Sequence, residues 1–417
     1  MPAVSVIIPV YNVAAYIADC IESLKQQRFR DLEFIFVDDC SPDDSMTFVE
    51  EFAAADPRAR ILRNEENIGL GRTKNRGIEA ASGDFISIVD PDDWIAPDFY
   101  ELLYAKAASG NFDIVKGIRI RVYRETGETE YEKSNEKIRK GLRKGVPLFY
   151  SFNAQHQTAI YKKSLFADKT VRFGTGRSDE DTTFLLIVCK KTGSIAFADE
   201  AAYYYSIRAG SLTASFSEQR CRNDLYSLRE KVDFLVRGDM GQYEILYLEK
   251  YIAERICRIC HGISCGMIPK DIEEELAEFM AGQLFRIPGW QQTQKNLCEI
   301  LILSDYRKMI PERNIRPGTF HYDRVLRWTD LMAGHPEIGK RWILLRYVYA
   351  LFQAPISMLV NAPDVFFRER GYFSFIRKQL GRLDPGQKRK LFWYVIPALY
   401  KSFNRLVYTF LFGGKYD

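Results

Sequence analysis

Three carboxylates follow one short apolar segment of the chain. Residues 85–89 form an apolar run with β-branched side chains, which predicts a buried strand. Asp90, Asp92 and Asp93 come directly after it, and Pro91 ends the strand because proline has no N–H to donate. Acids this close repel one another unless a cation neutralises them, and oxygen ligands of this kind suit Mg²⁺ or Mn²⁺. The alternative is a turn rich in aspartate that does no more than end a strand.

Two further loops are expected at the same edge of a sheet. The strands predicted at residues 4–8 and 33–37 lead into Tyr11 and into Asp38 with Asp39. They alternate with helical patterns through short links, an order that predicts an α/β fold with a mostly parallel sheet flanked by helices. Because ligands bind at the carboxyl ends of strands in such sheets, the loops should converge on one site.

Basic residues open the helix predicted at residues 72–81. This helix follows a glycine-rich loop at residues 67–71, and Arg72 and Lys74 lie in its first turns. There they could place positive charge beside phosphate groups. The competing interpretation is a solvated helix face that exposes these two charges together with Arg76.

An acidic turn precedes a later helix. Asp179, Glu180 and Asp181 stand just before the apolar residues of a helical pattern that includes Phe184. A carboxylate at this place would be stabilised by the N-terminal end of the helix. Without other information these acids are good capping residues, and capping is compatible with a catalytic role.

Three other features leave alternatives open. Residues 125–143 are highly charged, which predicts an exposed loop that is either a lid or a solvated hairpin. His156 lies in a polar cluster before a strand-like segment, and it either lines a binding pocket or is a surface histidine. Cys257, Cys260 and His261 match a haem-attachment pattern, but their helical surroundings favour core thiols over haem or zinc.

Five short motifs together resemble those of family 2 glycosyltransferases with the GT-A fold. In the order and spacing of that family, they are residues 4–12, 37–41, 67–69, 74–77 and 90–93. The resemblance covers about residues 3–110 and implies a Rossmann-like mixed sheet, mostly parallel. It also implies that a sugar is transferred from a nucleotide-activated donor to a hydroxyl acceptor, with inversion at the anomeric carbon.

The same resemblance implies how the donor nucleoside is bound. Pro9 and Tyr11 would line the nucleobase pocket, with Tyr11 stacking on the base. Asp39 would accept an N–H of the base. Asp38 would support Asp39 or reach the ribose.

The acidic loop after residue 89 is implied to bind the metal. Asp92 would ligate Mn²⁺ or Mg²⁺, and Asp90 would bind the ribose or the metal. A divalent cation there acts as a Lewis acid for the leaving nucleoside diphosphate. Lys74 stands where the family usually has arginine, so the bidentate fork is lost. Trp94 and His156 are candidate contacts of the acceptor.

The acidic turn before residue 184 is implied to supply the general base. By the match to the family, Asp181 deprotonates the acceptor hydroxyl and Glu180 is the neighbouring candidate. An inverting displacement needs one such base and no covalent intermediate. Segments similar to residues 203–213 fold over the diphosphate in the family, which makes Arg208 and Ser211 candidate donor contacts.

The chain is too long, at 417 residues, for one typical core. We expect a catalytic domain at 1–216, with a nucleotide-sugar half at about 1–110 and an acceptor half at about 111–216. Apolar residues at helical spacing predict a helical domain at 217–310 and an aromatic, basic, helical tail at 311–417.

The tail suggests a surface that binds something else. Its last apolar and basic residues, about 388–410, predict a helix in the interface of an anionic membrane. The alternative is a helix packed on the catalytic domain or on the second subunit of a homo-oligomer. The chain shows no signal-peptide pattern and no unbroken apolar stretch of about 20 residues. We therefore expect a cytoplasmic protein, peripheral at the inner face of the membrane, with reduced thiols.

Composition narrows the function classes. The net charge of +4 is mild and nucleic-acid motifs are absent from the sequence, so nucleic acid is not an expected partner. The leading hypothesis is an inverting, metal-dependent transferase that uses a nucleotide sugar, and the expected donor is a UDP-sugar. Its acceptor would be a glycan or lipid-linked sugar of a cell-surface polysaccharide. The alternatives are a nucleotidyltransferase, for which residues 9–12 lack the expected signature, and a non-catalytic scaffold that binds nucleotide sugars or glycans.

Overall fold

The fold is described by a computed structural model. It describes residues 1–132, 134–143, 148–152, 155–175, 179–207, 218–237 and 269–282, with single residues between 245 and 259 and at 286 and 385. The chain divides into two compact units, Met1–Ser215 and Phe216–Asp417. The predicted division of the second half at residue 310 stays a prediction.

The first unit is built on one mixed sheet. In chain order its strands are β1 (Val4–Val10), β2 (Leu32–Asp38), β3 (Ala59–Arg63), β4 (Phe85–Ile88), β5 (Trp94–Ile95), β6 (Ile114–Tyr123), β7 (Thr129–Tyr131), β8 (Ala159–Lys162) and β9 (Ile195–Ile207). They are ordered β3-β2-β1-β4-β8-β6-β9-β5, with β7 beside β6. Strands β1 to β4 pair in parallel, β8 is antiparallel to β4 and β6, β9 is parallel to β6, and β5 is antiparallel to β9. The predicted α/β fold class with its mostly parallel sheet is confirmed.

Helices lie on both faces of this sheet. They are α1 (Ile17–Lys25), α2 (Ser45–Ala55), α3 (Leu70–Ala80), α4 (Phe99–Ala108), α5 (Ser134–Arg143), α6 (Leu148–Phe152) and α7 (Glu180–Lys191). The even-numbered residues of β1 pack in one apolar cluster with residues of α1, α2 and α4. Ile7 points to the opposite face, as alternation along a strand requires, and meets Gly77 of α3. A Cβ at Gly77 would lie 2.3 Å from Cγ2 of Ile7, so glycine is what lets α3 pack this close.

The charged segment at residues 125–143 is more ordered than predicted. It begins with the hairpin strand β7, which pairs with β6 and is exposed, and it then forms helix α5. Ile138 of α5 is fully buried, and Asn135 donates hydrogen bonds of 3.0 Å to the carbonyl of Gly117 and 2.9 Å to Asp199. The prediction of an exposed loop is therefore wrong for α5, because side-chain hydrogen bonds supply anchoring that apolar periodicity does not reveal.

The described part of the second unit is helical. Its two continuous helices are α8 (Glu218–Val236) and α9 (Lys270–Gly282). Ion pairs join them, with Arg222 2.7 Å from Asp271 and Arg229 2.7 Å from Glu275. Within the described ranges, no helix is both long and apolar enough to span a bilayer.

Candidate active site

The carboxyl ends of β1, β2 and β4 meet at one edge of the sheet. Val10 pairs with Asp38 at the end of β2, and Ile7 pairs with Ile88 at the end of β4. Because these strands run in parallel, the loops that carry Tyr11, Asp39 and the acidic residues after position 89 leave from the same side. The structure thus brings these loops together, as the sequence predicted.

The loop after β1 is fixed in place and leaves one aromatic ring in solvent. Pro9 is buried inside the sheet, whereas Tyr11 is 46% exposed. The backbone N–H of Ala14 donates to Asp43 at 2.8 Å. Burial alone would raise the pKa of Asp43, but hydrogen bonds from Ser45 and from the Ala14 N–H outweigh it and lower the pKa to about 2. A charged anchor thus holds a loop whose exposed tyrosine is available to a planar ligand.

Asp39 holds the glycine-rich loop that precedes α3. Its Oδ1 accepts hydrogen bonds from the backbone N–H of Ile68 at 2.8 Å and from the side chain of Asn64 at 2.7 Å. Its Oδ2 accepts from the N–H of Gly69 at 3.0 Å, and Gly69 has φ +88°, a conformation that glycine adopts without strain. Asp38 is buried beside it. Both carboxylate oxygens of Asp39 thus already accept hydrogen bonds within the protein. The predicted contact of Asp39 with a nucleobase stays a prediction.

Asp93 has a structural environment. It is buried, and it accepts hydrogen bonds from the hydroxyl of Tyr203 at 2.7 Å and from the backbone N–H of Ser206 at 2.8 Å. Burial raises its pKa well above the usual range, and the charges of Asp92 and Asp90 add to this rise. Asp93 therefore ties the acidic loop to β9.

Asp90 and Asp92 differ in their surroundings. Asp90 lies 3.2 Å from Nζ of Lys74 through Oδ1, and its Oδ2 accepts a 2.8 Å hydrogen bond from Gln157. Burial would raise the pKa of Asp90, but the ammonium of Lys74 outweighs it and holds the pKa below the usual value. Asp92 is half-buried at the same loop. Of the two predicted metal ligands, Asp90 is thus already engaged by a lysine.

Lys74 is the centre of a buried charge cluster. Its side chain is 1% exposed, and Nζ lies 3.2 Å from Asp90 Oδ1, 3.1 Å from Glu180 Oε1 and 3.2 Å from His156 Nε2. Burial would lower the pKa of Lys74, but the carboxylates of Asp90 and Glu180 outweigh it and raise the pKa. An ammonium group has three protons, and these three acceptors use them. The interpretation of Lys74 as part of a solvated face is therefore wrong, whereas Arg72 is exposed.

His156 is buried beside the predicted base. It is 2% exposed, and its ring packs edge-on against Phe173 and Phe184 at centroid distances of 5.1 and 6.2 Å. Its Nδ1 lies 4.0 Å from Oδ2 of Asp181. Burial, with a smaller contribution from Lys74, lowers its pKa well below 6.5. The alternative of a surface histidine is wrong.

The start of α7 presents the two predicted bases differently. The side chain of Glu180 is 9% exposed and is paired with Lys74, whereas that of Asp181 is 19% exposed. The approach of α3 to the segment before α7 needs a glycine, because a Cβ at Gly71 would lie 1.8 Å from the carbonyl oxygen of Gly174. Asp181 is thus the more accessible carboxylate of the pair.

Trp94 is packed into a stack on the other side of the acidic loop. Its ring lies 5.7 Å from the ring of Tyr204, nearly parallel to it, and 5.2 Å from the guanidinium of Arg124. Arg124 also donates to the carbonyl of Asp92 at 3.3 Å and to the hydroxyl of Ser206 at 2.6 Å. Sequence reasoning missed Arg124, which lies in no motif. It placed Gln157 in the polar cluster around His156 but did not predict its hydrogen bond to Asp90.

Several predicted residues lie outside the part of the chain that is described. They are Arg208, Ser211, Cys257, Cys260 and His261, together with nearly all of the basic tail. Their roles stay predictions.

The residues present fit a metal that is held largely by its substrate. Among the described residues, no group of three acidic, histidine or cysteine side chains forms a preformed metal centre. Mg²⁺ in nucleotide-binding sites commonly takes one or two carboxylates and completes its shell with phosphate and water oxygens. Asp92 provides one half-buried carboxylate at the loop, which is enough for that mode of binding.

Two curated relatives are similar to this chain over long segments. EpsH of Bacillus subtilis (strain 168), a glycosyltransferase by name, is 31% identical over 245 residues, which are 56% of this chain and 69% of EpsH. Glycosyltransferase GlyA of Streptococcus pneumoniae serotype 4 is 28% identical over 352 residues, or 82% of this chain. The chain spans about half of GlyA, 49% of its length.

The fold has solved counterparts. The crystal structure of S. aureus TarS 1-349 in complex with UDP-GlcNAc has a TM-score of 0.54 and 20% identity, and covers 84% of this chain and 91% of that one. At this identity the likeness shows the GT-A type of fold alone. A family model described as glycosyl transferase family 2 matches residues 5–168, which hold all the acidic loops at the sheet edge. Together with the identity to EpsH, this match establishes that the chain is an enzyme of glycosyltransferase family 2.

Proposed function

We propose that this enzyme is an inverting, metal-dependent glycosyltransferase that moves a sugar from a UDP-sugar to a hydroxyl group of a glycan or lipid-linked acceptor. The observation that carries the proposal is the ammonium of Lys74, which lies within 3.2 Å of both Asp90 and Glu180. It joins the acidic loop after β4 to the start of α7. The proposed metal ligand, Asp92, lies in the acidic loop and the proposed base, Asp181, lies in the first turn of α7, and Lys74 holds these two segments together.

In the proposed reaction Asp181 accepts the proton of the acceptor hydroxyl. The hydroxyl oxygen forms a bond to the anomeric carbon on the face opposite the nucleotide, and the bond from that carbon to the diphosphate oxygen breaks. A divalent cation held by Asp92 and the diphosphate would supply Lewis-acid stabilisation of the leaving UDP. Glu180 does not compete as the base, because its carboxylate is buried and paired with Lys74.

Two observations support the choice of a UDP-sugar: the fold of the first unit and the arrangement of side chains at the ends of β1 and β2. TarS, which shares the fold, was solved with UDP-GlcNAc. In this chain Tyr11 is exposed just after β1, and Asp38 ends the adjacent strand β2, with Asp39 directly after it. We propose that this corner receives the nucleobase and the ribose. Only membership of the family supports the other two parts of the proposal, namely that the transferred group is a sugar and that the acceptor is a glycan or a lipid-linked sugar.

The proposal is tested by release of UDP from UDP-sugars, with and without Mn²⁺, in the full-length chain. We expect wild-type protein to release UDP in the presence of Mn²⁺ and Asp92→Ala to lose this activity. Asp44→Ala is the matched control, since Asp44 is exposed and lies outside the cluster. Protein that binds UDP but releases it from no UDP-sugar would instead be a non-catalytic scaffold.

We also propose that the basic, aromatic tail binds anionic membrane at the cytoplasmic face. The support is its sequence pattern, with cationic and apolar residues interleaved. Deleting the residues after Leu383 should release the protein from anionic vesicles in a sedimentation assay. Equal sedimentation of the full-length and shortened chains would contradict this role.

A further inference from the structure

The contacts of His156 fix which of its nitrogens carries the proton. An ammonium group can only donate hydrogen bonds, and Nζ of Lys74 lies 3.2 Å from Nε2 of His156. Nε2 is therefore the acceptor and carries no proton. A neutral imidazole then has its proton on Nδ1, and the lowered pKa of this buried ring keeps it neutral.

The protonated nitrogen is directed at the proposed base. Nδ1 is buried and has no hydrogen-bond partner within the part of the chain that is described. The nearest carboxylate oxygen, Oδ2 of Asp181, is 4.0 Å away, which is too far for a hydrogen bond and close enough to form one by a small shift of a side chain. A buried N–H left in this state is costly, so its place needs an explanation.

We propose that His156 is a positioning residue for Asp181: its Nδ1–H donates a hydrogen bond to the Asp181 carboxylate when substrate is bound and holds the other oxygen toward the acceptor hydroxyl. This inference rests on the proposed role of Asp181 as the base. Catalytic hydrogen bonds are often long without substrate and shorten in the complex. The ring packed against Phe173 and Phe184 gives the donor a fixed direction.

The geometry excludes two other roles for His156. As a ring that is 2% exposed, it does not form part of an acceptor surface. As a base in its own right it lacks a free lone pair, because Lys74 occupies Nε2 and the proton occupies Nδ1. The prediction that His156 contacts the acceptor is therefore replaced by an indirect role through Asp181.

Charged groups from several elements surround the ring. Lys74 comes from α3, Asp90 from the loop after β4, Asp181 from α7 and Arg119 from β6. Lys74 and Arg119 favour the neutral ring, whereas Asp90 favours the charged one. The hydroxyl of Tyr161 donates to the His156 carbonyl at 3.0 Å and holds its backbone.

The tautomer is tested by NMR of protein labelled with ¹⁵N at histidine. The chain has four histidines, and loss of one signal in His156→Asn assigns the resonance. We expect a neutral ring protonated at Nδ1 that does not titrate near the ordinary histidine pKa, because burial lowers the pKa of His156 well below it. A ring protonated at Nε2, or one that titrates at the ordinary histidine pKa, would overturn the inference. This measurement does not depend on any sugar substrate.

The positioning role is tested with two amides that replace different halves of the ring. His156→Asn places an N–H donor where Nδ1 was, and His156→Gln places an amide where Nε2 was. We expect release of UDP from UDP-sugars to fall by roughly 10- to 100-fold in His156→Gln, the loss expected for one hydrogen bond to a charged group. The Asn variant should retain most of the turnover and the acidic limb of the wild-type pH profile. Binding of UDP by calorimetry should be unchanged in both.

The possible outcomes distinguish a failure of the positioning role of His156 from a failure of the proposed function. Equal turnover and equal pH profiles in the Asn and Gln variants, with an active wild type, would overturn the role of His156 and leave the proposed function intact. An inactive wild type that binds UDP would overturn the proposed function, while the NMR result would still decide the tautomer. Melting temperatures of both variants show whether a loss of turnover reflects a loss of folding.

Discussion

Replacing Lys74 by methionine should leave two carboxylates in the interior of the first unit without the ammonium group that pairs with them. Methionine has a similar length and is flexible enough to fill the space, so the change removes the charge with little change in volume. Asp90 and Glu180 each lose an ionic partner, at 3.2 and 3.1 Å. His156 loses its donor at the same time.

The expected cost follows from the burial of the cluster. Breaking a buried ion pair by removing one partner destabilises a protein by about 3–5 kcal/mol, because the other charge stays buried. For a unit the size of Met1–Ser215, each kcal/mol lowers the melting temperature by roughly 2–4 °C. Lys74→Met should therefore melt about 6–20 °C below the wild type at neutral pH.

The loss should depend on pH in one direction. The raised pKa of Lys74 gives stability that is present below the pKa of an unfolded lysine and is lost only at strongly alkaline pH. The lowered pKa of Asp90 gives stability that is present above about pH 4 and is lost as pH falls further. In Lys74→Met the buried Asp90 instead takes up a proton more easily. The difference between variant and wild type should thus be largest near pH 7.5 and should shrink toward pH 4.5.

Urea unfolding followed by circular dichroism at both pH values measures this difference. Lys25→Met is the matched control, because Lys25 and Glu22 form an exposed pair at 3.8 Å that should contribute less than about 1 kcal/mol. A Lys74→Met variant within about 1 kcal/mol of wild type at pH 7.5 would refute the buried cluster. So would a loss of the same size at both pH values.

Three further predictions concern the site. Asp181→Asn should keep the calorimetric affinity for UDP and lose turnover by about 10²- to 10⁴-fold, since the amide accepts no proton. Asp39→Asn should weaken UDP binding at least about tenfold by turning an amide toward the N–H groups that Asp39 now accepts. Gly71→Ala should lower the free energy of unfolding by about 3 kcal/mol, because its Cβ would meet the Gly174 carbonyl at 1.8 Å.

Each of these three predictions has a result that would contradict it. Turnover retained in Asp181→Asn would move the base to another residue. Asp39→Asn that binds UDP as wild type does would show that the loop does not need its carboxylate. Gly127→Ala is the control for Gly71→Ala, since Gly127 has φ +72° but nothing within 4 Å of the added Cβ, and should cost only about 1–2 kcal/mol. An equal loss in the two would contradict the close approach of α3.

The strands and the edge of the sheet were predictable because their signals are local. Apolar runs such as residues 85–89 end in proline and aspartate, and alternation with helices fixes a parallel order. The convergence of Tyr11, Asp39 and Asp92 follows from that order alone. These predictions depend on apolar periodicity and on the residues that end each strand, which are signals within about ten residues of sequence.

The burial of Lys74 was not predictable in the same way. Its partners come from positions 90, 156 and 180. Nothing in the local sequence indicates that these distant positions come together around one residue of α3. His156 looked like a surface residue because polar neighbours surround it in the chain, yet aromatic rings from residues 173 and 184 cover it. The order in α5 was missed for a similar reason, since distant hydrogen bonds anchor it.

The anchors of the acidic loop limit how such enzymes can be recombined. Asp93 is held by Tyr203 and Ser206 of β9, and the carbonyl of Asp92 is held by Arg124 just after β6. The shape of the loop is thus maintained by residues that lie 32 positions downstream at Arg124 and more than a hundred positions downstream in β9. A chimera that joins the first 110 residues of this protein to the remainder of a relative would need matching anchors in the grafted part, or its junction would leave the loop without support.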